Sequence, residues 1–138
     1  WHVNICRSPM GEYILKEMVS RRGLENVITE IDSCAVSTEE LGNPLYPPAR
    51  AELARHGIPC GGHRARQITK ADCAKFDLIL TMDRSNMRLL ERRVGAENMG
   101  KVRMLLGRDV ADPWYTGDFT ATYDDLIEGC EQLLKELE

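Results

Sequence analysis

Met10, Ile14 and Met18 recur every four residues near the start of the chain. That repeat puts three apolar side chains on one side of a helix. Ser8 suits the cap of such a helix, and Pro9 suits its first position, where a missing N–H costs nothing. Arg21 and Arg22 complement the negative end of the helix dipole, and Gly23 ends the element. The stretch 27–36 reads as a strand. A second helix is predicted over 47–56, stopped by Gly57. A short third helix starts near Thr69, with Asp72 three residues on as a capping-box partner. The apolar run 76–82 reads as a central buried strand. A helix follows over 86–94, a strand over 102–106 and a loop over 107–118. The last helix sets Tyr123, Ile127, Cys130, Leu134 and Leu137 on one side.

Strands that alternate with helices imply an α/β fold of three layers, a parallel sheet flanked by helices on both faces. Such sheets take ligands at the carboxyl ends of their strands. No repeat, low-complexity tract or linker divides the chain, so residues 1–138 are expected to form a single domain. A βαβ unit begins with a strand, yet this chain begins on the loop before its first helix. The first strand of the sheet is therefore expected to be missing.

Net charge is -4, which argues against wholesale binding to nucleic acid or to an anionic membrane face. Any anion site must be local. No apolar run reaches the roughly 18 residues of a membrane-spanning helix, and no secretory signal peptide is expected. The five cysteines, Cys6, Cys34, Cys60, Cys73 and Cys130, are odd in number and include no C-x-x-C pair. That pattern opposes a disulfide framework and a zinc site, and fits reduced thiols in a cytoplasmic protein. No metal and no cofactor is expected.

Asn4-Ile5-Cys6-Arg7-Ser8-Pro9 puts an arginine in a turn that runs into a helix N-terminus. Unpaired N–H groups and the dipole favour an anion there, and a guanidinium adds two parallel hydrogen bonds to phosphate. The same residues also suit an ordinary capped helix with a solvated arginine. Asp112-Pro113 admits two readings as well, a proton-donating carboxyl or a turn.

The opening motif resembles the low-molecular-weight tyrosine phosphatase signature from its second half on, Cys-x-Gly-Asn-Ile-Cys-Arg-Ser-Pro. The resemblance continues in family order through Ile31-Asp32-Ser33, Gly42-Asn43-Pro44 and His63-Arg64-Ala65-Arg66-Gln67. It runs on through Phe76-Asp77-Leu78-Ile79-Leu80-Thr81-Met82-Asp83 and Ala111-Asp112-Pro113-Trp114-Tyr115. It implies hydrolysis of a phosphotyrosine-containing protein or an aryl phosphate through a cysteinyl-phosphate, without metal. In that scheme Arg7 clamps phosphate and Asp112 is the general acid. Asn4, Ile5, Cys6 and Ser8 belong to the phosphate loop, while Trp114 and Tyr115 wall the cleft. Asn4, Ser8, Ser33 and His63 brace the loop. Asp83 matches a family motif and also reads as a helix cap, the role favoured for it.

The chain departs from the pattern at the nucleophile. Six residues before Arg7, where the family has its cysteine, stands Trp1, and Val3 takes the family's glycine position. An indole cannot attack phosphorus, and the neighbouring Cys6 sulfur would be displaced from the line of attack. This chain is therefore expected to be inactive, either as an altered or truncated phosphatase or as a non-catalytic phosphate- or phosphoprotein-binding relative. Arsenate reduction would need a second cysteine close to Cys73 and finds none. Phosphoarginine hydrolysis, seen in a sister branch with Thr at the position of Ile5, fits less well than an aryl ring against Trp114 and Tyr115.

Overall fold

The first helix, α1, is Arg7–Arg21 in a computed structural model that describes residues 7–24, 26, 28, 30–33, 46–58, 67–76, 78–110 and 117–137, with the backbone alone at 7, 8 and 137. Met10 and Ile14 are fully buried, as their spacing predicts. The helix starts earlier than expected. Arg7 and Ser8 already lie in its first turn, so Ser8 is not the cap. Arginine is a good helix former, and the hydrogen-bonded ladder takes it in. At the other end Gly23 adopts φ 66. Its N–H donates to the Ser20 carbonyl at 3.3 Å, and the Leu24 N–H donates to Val19 at 3.0 Å. This paired closure needs the left-handed backbone that glycine supplies.

That closure also corrects the strand expected over 27–36. The Ile28 N–H donates to the Leu24 carbonyl at 2.9 Å, so the turn after α1 uses the amide that a ladder would need. Residues 28 and 30–33 are not in a strand, and the rest of that stretch lies outside the described residues. So do residues 1–6, and with them the question of a first strand.

The helix α2, Pro47–Arg55, begins on Pro47 and closes on Gly57 as α1 closes on Gly23. The short α3, Lys70–Lys75, has the predicted capping box. The Thr69 N–H donates to Asp72 at 2.8 Å, and the Asp72 N–H donates to the Thr69 hydroxyl at 3.3 Å. Strands β1, Ile79–Thr81, and β2, Val102–Met104, pair in parallel with Ile79 opposite Val102. Both are shorter than predicted. β1 stops because Asp83 caps the next helix, its carboxylate accepting from the Asn86 N–H at 2.7 Å. That helix, α4, is Arg84–Val94, and it carries the crossover from β1 to β2. The last helix, α5, is Phe119–Leu137.

Two apolar clusters lie on the two faces of the sheet. Met10, Ile14, Leu53, Met82, Leu126 and Cys130 join α1, α2 and α5 on one face. Ile68, Cys73, Leu90 and Val94 join α3 and α4 on the other, with Ile79 and Val102 of the strands packed against them. The layers are therefore helix, parallel sheet and helix, as the alternating pattern predicts.

Two outcomes follow from the first cluster. Leu126 is fully buried, so Leu126→Ala should cost about 2–5 kcal/mol of unfolding free energy, read by urea titration. Burial, with a smaller push from Glu131, raises the Cys130 thiol from 9.0 to about 12. A raised thiol pKa favours the neutral native form. Its contribution is full below about pH 9 and is lost as pH climbs towards 12, because only the unfolded chain ionises there. Denaturation midpoints should fall across that window in the parent chain and fall less in Cys130→Ala.

Candidate active site

A helix start becomes an anion site only if its first turn is held where a ligand can reach it. No acidic residue occupies the first turn of α1, so nothing there opposes an anion. One turn further on, Gly11 lies in close contact with two other elements. A Cβ there would meet Leu126 Cδ2 at 3.4 Å and Met82 Cε at 3.8 Å. The N-terminal half of α1 is thus pressed against α5 and against the carboxyl end of β1. This is the edge where a parallel sheet takes its ligands.

The segment leading to Asp112 starts from the same edge. The Val110 N–H donates to the Met82 carbonyl at 2.8 Å, and Val110 is buried. Asp109 accepts from the Arg84 N–H at 3.1 Å. Arg108 donates to Asp125 of α5 at 2.8 Å, with Glu128 at 3.7 Å. The Asp125 carboxylate accordingly raises the Arg108 pKa. Three consecutive residues therefore bind β1's end, α4 and α5 just before residue 111. On the far side of the loop Asp118 accepts from the Ala121 N–H at 2.9 Å. Phe119 stacks on Tyr46 with ring centroids 6.1 Å apart.

Ser33 is buried, and its hydroxyl donates to Glu12 Oε1 at 2.6 Å. Lys16 donates to the other Glu12 oxygen at 2.6 Å. Glu12 is the residue that the sequence reading missed. It stands four residues after Ser8, one turn behind it on the same helix face. A second buried carboxylate, Glu52, was also missed. It is 1% exposed and takes Arg55, the His56 ring at 2.9 Å and the Thr120 hydroxyl at 3.3 Å. His56 stacks flat on Tyr123 at 3.6 Å, and burial raises the Tyr123 pKa. These contacts join α2 to the start of α5, where the chain leaves the loop of Asp112.

Of the predicted site residues, the structure brings Arg7 and Ser8 to the start of α1 as backbone and shows Ser33 braced by Glu12. Trp1, Asn4, Ile5, Cys6, His63, Asp112, Trp114 and Tyr115 lie outside the described residues. Asp83 caps α4, as favoured from the sequence. Neither described cysteine is poised as a nucleophile. Burial raises the thiol pKa of both Cys73 and Cys130, whereas attack needs a thiolate. Among the described residues no three His, Cys, Asp or Glu side chains gather as metal ligands would. No described helix is long and apolar enough to cross a membrane.

Comparison with known proteins agrees with this geometry. A family model described as low molecular weight phosphotyrosine protein phosphatase matches residues 2–138. The low molecular weight protein-tyrosine-phosphatase YfkJ of Bacillus subtilis is 37% identical, over 98% of this chain and 90% of its own. The human low molecular weight phosphotyrosine protein phosphatase is 38% identical, over 96% of this chain and 89% of its own. The crystal structure of SP-PTP, a low molecular weight protein tyrosine phosphatase from Streptococcus pyogenes, superposes with a TM-score of 0.91 at 34% identity, covering 99% of this chain and 89% of that one. The chain belongs to the low molecular weight phosphotyrosine protein phosphatase family.

Proposed function

We propose that the turn into α1 binds the phosphate of a phosphotyrosine, and that Trp1 leaves this chain able to hold the ester but not to cleave it. The observation behind this reading is the start of α1, packed near the carboxyl end of β1 at Gly11 and Met82, with no acid in its first turn. Backbone N–H groups and Arg7 take the non-bridging phosphate oxygens. Trp114 and Tyr115 flank the ring. Glu12 braces Ser33, and Ser33 in turn supports the loop.

With a cysteine at position 1 the same frame would run two displacements. The thiolate attacks phosphorus, the P–O bond to the phenol breaks, and Asp112 gives its proton to the leaving oxygen. Water, deprotonated by Asp112, then attacks the phosphocysteine and releases phosphate and thiolate. Arg7 and the loop amides hold the equatorial oxygens through both steps.

The purified chain should bind vanadate or inorganic phosphate in a titration followed by tryptophan fluorescence, and Arg7→Ala should abolish that binding. It should not turn over an aryl phosphate. Turnover by the parent chain that Arg7→Ala removes would overturn this reading. The double variant Trp1→Cys, Val3→Gly should hydrolyse aryl phosphates without added metal. Adding Asp112→Ala should then slow hydrolysis most for phenols of high pKa, where the leaving oxygen most needs a proton.

A further inference from the structure

Arg84, Arg88 and Arg92 stand at four-residue intervals on α4, and all three are exposed. Such spacing lines them along one face at intervals of about 6 Å. The opposite face, with Asn86, Leu90 and Val94, is buried. Neighbouring arginines are engaged: Arg93 donates to the Ile68 carbonyl, Arg103 pairs with Glu136, and Arg108 pairs with Asp125. The guanidinium groups of Arg84, Arg88 and Arg92 have no such partner among the described residues.

Helix stability does not account for this row. Arg92 in the last turn suits the dipole, but Arg84 sits in the first turn, where a positive charge is opposed. Each pair four residues apart sets like charges side by side, which also works against the helix. Nor does general basicity account for it, because the net charge is -4. The row begins directly after Asp83, at the carboxyl end of β1, and runs away from that edge.

We propose that Arg84, Arg88 and Arg92 form a docking ridge for an acidic, extended segment of the substrate protein beside its phosphotyrosine. The inference rests on the phosphotyrosine reading for its orientation. Same-side residues of an extended peptide recur about every 7 Å, close to the spacing of the ridge. Acidic residues at alternate positions can therefore meet successive arginines. Such exposed pairs are individually weak and screened by salt, so the ridge adds preference and encounter rate to a contact made mainly at the phosphate.

The test uses the chain as it stands and three labelled peptides, followed by fluorescence anisotropy. One is a phosphotyrosine peptide with aspartates at alternate positions. The second has serines in their place. The third has the aspartates and an unphosphorylated tyrosine. At low salt the acidic phosphopeptide should bind about tenfold tighter than the neutral one, an advantage that high salt shrinks. The variant Arg84→Gln, Arg88→Gln, Arg92→Gln should remove the advantage and leave the neutral phosphopeptide unchanged. Equal affinity of the two phosphopeptides, or an advantage that survives in the variant, would overturn the ridge. So would binding to phosphatidylserine vesicles that the variant loses while peptide preference stays flat, which would assign the face to a membrane. If the unphosphorylated acidic peptide binds through the ridge and neither phosphate nor the neutral phosphopeptide binds at all, the ridge stands and the phosphotyrosine reading fails.

Discussion

The packing of α1 against α5 and the end of β1 is the constraint on which the rest of the site depends. Beside Gly11 stand Leu126 and Met82, at distances of ordinary van der Waals contact. Met10 and Ile14 on the same helix are sealed in the core. Together they hold the N-terminal half of the helix against α5 and the end of β1. A helix dipole falls off within a turn, so an anion site tolerates little displacement of the helix that makes it. The same Met82 whose side chain touches α1 also offers its carbonyl to Val110. One residue thus ties α1 to the segment that leads to residue 111.

The buried carboxylates show what holding such a frame requires. Glu12 and Glu52 are both nearly inaccessible, and each is satisfied by more than one donor. An unpaired charge in either place would be strongly unfavourable, so each carboxylate enforces the arrangement of its donors. Glu12 enforces the position of Ser33 against α1. Glu52 enforces the contact of α2 with Thr120, at the exit of the Asp112 loop. Their value is positional as much as energetic, because a hydrophobic pair could fill the same space without demanding one geometry.

How much of this was legible in the sequence depends on the range of each interaction. The caps at Thr69, Asp83, Gly23 and Gly57 are local, closing within a few residues, and the residue types announce them. The helical period put Met10 and Ile14 of α1 and Cys130 and Leu134 of α5 in the core, but Met18, Tyr123 and Ile127 are only partly buried, and the fully buried Leu126 lies beside the expected face. Within the strand expected over 27–36, the described residues 28 and 30–33 are not in a strand; β-branched residues suggest a ladder, while the turn after Gly23 takes the Ile28 amide. Glu12 and Glu52 were invisible for a different reason. Their partners Ser33 and Thr120 are 21 and 68 residues away, and a lone glutamate in a helix reads as solvated surface. The family was recognisable through an ordered set of motifs, not through any one residue, since each alone had an ordinary structural reading.

Holding a phosphate and attacking it make different demands on a site, and this bears on the role proposed for Trp1. The described contacts that seat α1 come from Met10, Gly11, Ile14, Met82 and Leu126. Binding an oxyanion asks for amides, a dipole and a guanidinium, all tolerant of what stands six residues upstream. Attack on phosphorus asks for a thiolate at bonding distance and in line, and has no tolerance at all. On the proposed reading, Trp1 fails the steep requirement and leaves the shallow one met, so recognition of a phosphate ester can outlast its hydrolysis.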